Sequence, residues 1–64
     1  MKCRYIVFDV YDVAYGEPIT HDEIIGRANT IQQVRKIEKQ QIEDTDGECY
    51  IMVFDKVDKK FVEI

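Results

Sequence analysis

The sequence predicts a small α+β domain: a three- to four-stranded, mostly antiparallel sheet with one amphipathic helix on one face, in the order β(β)αββ. Three observations predict it. Residues 4–14 and 48–54 are dominated by Tyr, Ile, Val and Phe, which suit a pleated, half-buried surface. Between them, one stretch from Thr30 repeats apolar residues at helical spacing. The chain has 64 residues and no internal repeat, low-complexity tract or linker, so residues 1–64 read as one domain. A chain this short buries only about 60% of the surface that its unfolded form exposes.

The first element, residues 4–14, is the strongest strand. Ile6, Phe8 and Val10 line one face; Tyr5, Val7, Tyr11 and Val13 line a second, more amphipathic one. A strand apolar on both faces is central, or meets something on its second face. A turn follows at Tyr15-Gly16-Glu17-Pro18.

The middle of the chain supports two readings. In one, residues 23–28 form a short second strand. A helix then starts at Thr30, whose hydroxyl caps the third amide while Gln33 reaches back. That helix runs over 31–42 and gathers Ile31, Val34, Ile37 and Ile42 within about 140° of arc. In the other, one long helix starts at Thr20, whose own capping box is Thr20-His21-Asp22-Glu23. Gly26, Asn29 and Thr30 in its centre weigh against it, so the strand plus helix is preferred. Acids and Gly47 end the helix, with Gly47 supplying a left-handed exit. Strands follow at 48–54 and 60–64, joined by the polar hairpin 55–59.

One helix covers only one face of such a sheet. The second face, with Tyr5, Val7, Tyr11, Tyr50 and Met52 as candidates depending on register, is then exposed or covered by another chain. Self-association through the sheet, as a homodimer, is the expectation. The alternative is that tyrosines, being amphipathic, simply tile an exposed face.

Thirteen acids against nine Lys and Arg give a net charge of −4, which disfavours nucleic acid and anionic membranes and favours a protein with a basic surface. The run after Arg4 is too short and too charged to span a membrane, and no signal-peptide cleavage site follows, so a cytoplasmic location is expected. Cys3 and Cys49 read as reduced thiols, or as one bridge if their strands are neighbours.

In the acidic cluster Glu43, Asp44, Asp46 and Glu48, the run Asp44-Thr45-Asp46-Gly47-Glu48 resembles a calcium-loop fragment. With Gly47 at the sixth position, however, Ile42 and Val53 occupy ligand positions, and the loop fails. These acids sit at the unfavourable end of the helix dipole, a hint that they serve a partner. His21, the only histidine, has no nucleophile beside it, and the chain contains no serine. Cys3, Cys49 and His21 are too few and too scattered for zinc, and the three glycines build no phosphate loop. The expectation is a protein with no catalytic, metal or cofactor site.

Tyr5-Ile6-Val7-Phe8-Asp9-Val10 resembles the opening strand of Cas2-like, ferredoxin-fold nucleases, in which an acid near the strand end binds a divalent metal at a dimer interface. That resemblance implies Asp9 or Asp12 as the acid. The helix from Thr30 to Ile37 and the strand from Asp46 to Ile51 resemble small bacterial and bacteriophage proteins with a ββαββ layout. This second resemblance implies a phage or mobile-element product that occludes a host protein. The reading of the whole is a small acidic, non-enzymatic protein-binding module, with Tyr5, Tyr11 and Tyr50 or the acids Glu43, Asp44, Asp46 and Glu48 at its contact surface. A metal-dependent nuclease and a structural accessory subunit are the alternatives.

Overall fold

The computed structural model describes residues 3–62. Its elements are β1 (Tyr5–Asp9), β2 (Ile24–Ala28), α1 (Ile31–Thr45), β3 (Ile51–Asp55) and β4 (Lys60–Val62). The strands form one antiparallel sheet in the order β2-β1-β3-β4, and α1 lies across β2 and β1. This is the α+β arrangement that the sequence predicts.

The ambiguous middle folds as strand plus helix. Both predicted cap residues are used, each for a different element, but only the Thr20 box closes as a reciprocal pair. Thr20 caps a single 3-10 turn, His21–Glu23, with the Glu23 carboxylate accepting from the Thr20 amide at 2.8 Å. Thr30 caps α1, its hydroxyl accepting from the Gln33 amide at 3.2 Å, while the Gln33 side chain reaches one residue further back, to the Asn29 amide. The long helix does not form because Gly26 pairs with Val7 in the sheet.

Gly26 also lets the helix approach. A Cβ placed there would lie 2.9 Å from Cδ1 of Ile37 and 3.2 Å from its Cγ2, so a bare backbone is what fits beneath α1. Val7 and Val34 are fully buried, with Tyr5, Ala28 and Val53 beside them. Burial of side chains of this size contributes about 1.5–3 kcal/mol each. Ile42 overshoots the apolar stripe and stays exposed, and α1 runs one turn past it. Its exit is made by Asp46 in the left-handed region (φ 53°), followed by Gly47 at φ 83°.

Several predicted bounds shorten. β1 ends at Asp9 because its carboxylate accepts from the Tyr11 amide and turns the chain, although Val10 still donates to the Tyr50 carbonyl at 2.8 Å. β3 begins at Ile51, two residues after Cys49. Residues 63 and 64 of the predicted last strand lie outside the described residues. Cys3 and Cys49 are free thiols at opposite ends of the β1–β3 pair, since Tyr5 faces Asp55 and Asp9 faces Ile51.

The largest correction concerns the two faces. Tyr5 and Val7, expected on the uncovered side, instead face α1 and form the core with Val53 and Ala28. The small residues Gly26 and Ala28 share that side of β2, which allows close helix contact. The opposite side carries wide phenylalanine rings and stays open.

Candidate functional site

The uncovered face is built from alternate residues of all four strands. Register places Ile6 beside Phe54 and Phe8 beside Met52 and Ile24, and Phe61 pairs with Phe54. Phe61 joins the other rings edge-on, with centroids 5.2 Å from Phe54 and 6.2 Å from Phe8. The five other apolar residues are half-buried, and Phe61 is 45% exposed. Among the described residues, Arg27, opposite Ile6, is the only charged strand residue on this side. On the other side of β3 and β4, beside α1, Glu38, Ile51, Val53 and Val62 line part of an open groove of about 610 Å³.

The predicted contact residues divide. Tyr5 is 7% exposed, in the core, with the Arg4 guanidinium 5.2 Å over its ring, so it offers no surface to a partner. Tyr11 and Tyr50 are exposed, and Asp9 brings them together: its Oδ1 accepts from both of their amides, at 3.1 and 3.2 Å. The exposed acids Glu43, Asp44, Asp46 and Glu48 follow at the same end, on the last turn of α1 and the run into β3. Asp9 ties this end to the helix, since the Gln41 amide nitrogen donates to its Oδ2 at 2.7 Å.

Asp9 is thus committed to the scaffold. Burial pushes its carboxyl pKa up, but the donors Tyr11, Gln41 and Tyr50 outweigh that, and the net shift is downward. A shallow cavity beside it is also lined by Asp12, Asp22 and Glu23. Among the described residues, no group of three or more His, Cys, Asp and Glu is arranged to hold a metal ion. Nor is any described helix long and apolar enough to cross a membrane.

No family model, curated protein or solved structure matches this chain. The surface itself is therefore what bears on function. Sequence reasoning missed Phe8, Phe54 and Phe61 as surface residues. Their signal was present as a Phe two residues from Ile6 and from Met52, but both faces of each strand were apolar, and only strand register separates them.

Proposed function

We propose that the protein is a small, acidic, non-enzymatic protein-binding module whose binding surface is the uncovered face of the sheet. One observation carries this reading: three phenylalanines, two isoleucines and a methionine share a sheet face that no described element covers, in a chain that is 34% charged. The tiling explanation that suits tyrosines does not extend to phenylalanine, which has no hydroxyl to offer water. The acidic end beside the face favours a partner with a basic rim, and a phage or mobile-element product that occludes a host protein is one concrete form of the reading.

The test is a binding comparison between the wild-type chain and Phe61→Lys. Phe61 lies on an edge strand and is partly exposed, so the substitution places a charge in the face with little effect on the core. Wild-type protein should associate with another chain, its own or a different one, by sedimentation and by affinity capture. The variant, shown by circular dichroism to be folded, should not. Association unaffected by Phe61→Lys would move the binding surface elsewhere.

A further inference from the structure

The fold sorts charge in a way the linear chain hides. Residues 5–26 contain five acids and no Lys or Arg, and residues 40–54 contain four acids and no Lys or Arg. The remaining segments hold all nine Lys and Arg with only four acids. The antiparallel register turns this into geometry. Tyr5, Ala28, Asp55 and Lys60 lie in one row across the sheet, so Arg27, Lys56 and Lys60 gather at that end with the Arg4–Asp55 pair, and bases outnumber the acids Asp55 and Asp58 there. At the other end lie Asp9, Glu23 and the approach to Ile51, and with them Asp12 and Glu48.

Helix α1 follows the same polarity. It starts beside Ala28 at the basic end and runs to the acidic end, where Gln41 reaches Asp9. Its first turn holds no acid and its last turn no base, the reverse of what a helix dipole favours. Local stability therefore does not account for the sorting, and the dipole adds to it.

We infer that two copies of this chain pack with their uncovered sheet faces together and their strands antiparallel, so that the acidic end of each copy lies over the basic end of the other. The inference rests on the reading that this face binds protein, and it names the occupant and the orientation. Two-fold symmetry between facing sheets offers two arrangements. An axis along the strands stacks acidic end on acidic end. An axis across the strands reverses the ends and pairs opposite charges at both.

The second arrangement also suits the apolar rows. With the axis over Val7 and Val53, Phe8 of one copy meets Ile6 of the other, and Phe54 meets Met52, so these two rings each face an aliphatic side chain. Contact area agrees with a role for charge. Three strands of five residues and one of three have a flat footprint of about 300 Å², whereas a standard interface takes about 800 Å² of accessible surface per partner. A face of this size is at the small end for a dimer, and charge pairing at the two ends adds to it.

The experiment is sedimentation equilibrium of the full chain in about 50 and 500 mM NaCl. The expected result is a reversible dimer whose dissociation constant weakens about tenfold or more at the higher salt, because exposed charge pairs are screened. Two exposed double variants test the orientation: Arg27→Glu with Lys56→Glu, and Asp12→Lys with Glu48→Lys. Each alone should be monomeric, and an equimolar mixture should form a heterodimer, a rescue that misfolding cannot mimic. A wild-type chain monomeric at about 50 mM salt, a dimer that tightens with salt, a dimer intact in Phe61→Lys, or a mixture that stays monomeric overturns the inference. A monomer that still captures a different protein through Phe61 overturns it while leaving the protein-binding reading standing. A monomer that captures nothing removes both.

Discussion

The guanidinium of Arg4 grips the carboxylate of Asp55 from two directions, Nε donating to Oδ1 at 3.2 Å and Nη2 to Oδ2 at 3.0 Å. The pair joins residues 51 apart in sequence and closes one end of the β1–β3 ladder. Asp55 is 2% exposed and fully occupied, since its Oδ1 also accepts from the Val57 and Asp58 amides and shapes the hairpin into β4. The Arg4 hydrogen bond, the largest influence, holds the Asp55 carboxyl below its ordinary value against the opposing push of burial.

A carboxylate whose folded pKa lies below its unfolded value contributes stability that is fully present above the unfolded value and is lost as pH falls through the folded one. Asp55 and Asp9 are both lowered from 3.8, and Glu23, through its Thr20 hydroxyl donor, from 4.5. Stability measured by urea unfolding should therefore hold level from about pH 7 to 5 and fall below about pH 4. Asp55→Asn should be less stable at neutral pH and show a shallower acid fall. An acid limb identical to wild type would show that the pair does not set it.

Gly26→Ala should destabilise by about 1–2 kcal/mol, because the added methyl meets Ile37 in a packed helix–sheet contact. The double variant Gly26→Ala with Ile37→Val removes the Cδ1 that clashes first and should recover part of the loss. Additive losses in urea unfolding would mean that the helix does not rest on this backbone.

Thr30→Ala should cost about 1 kcal/mol, the usual worth of an N-cap, because it frees the Gln33 amide. Thr20→Ala should cost about half of that or less, since it caps only one exposed 3-10 turn. Parallel denaturation of the two variants decides this. An equal loss would give the 3-10 turn a structural weight that its exposure does not suggest.

Asp9→Ala should destabilise by about 1–3 kcal/mol, the cost of removing the acceptor from three donors in a part-buried position. Asp9→Asn should cost less, because its amide oxygen still accepts. Equal stability of both variants with wild type would remove Asp9 from the scaffold.

Much of the fold was legible because its signals are local. Thr30 and Gln33 mark the helix start, Gly47 lies next to its end, and the β-branched runs mark the strands. The exit itself falls to Asp46, a residue that also tolerates the left-handed region. The candidate site was legible in half. Tyr11, Tyr50 and the acids 43–48 are exposed as expected, whereas Tyr5 is buried and the phenylalanine face was missed. In β1 and β3 hydrophobicity does not alternate, so period-two reasoning has no contrast with which to choose the inner face.

The sequence by itself determined the elements, their order and the shortage of helix to cover both sides of the sheet, because propensity, capping and chain length act locally. Which side stays open was decided by tertiary packing: Gly26 and Ala28 admit α1 closely on the side of Tyr5 and Val7, leaving the phenylalanines without cover. Tertiary structure also decided the charge map. Along the chain the net charge is −2 in each half, and only the antiparallel return of the strands collects acids at one end and bases at the other.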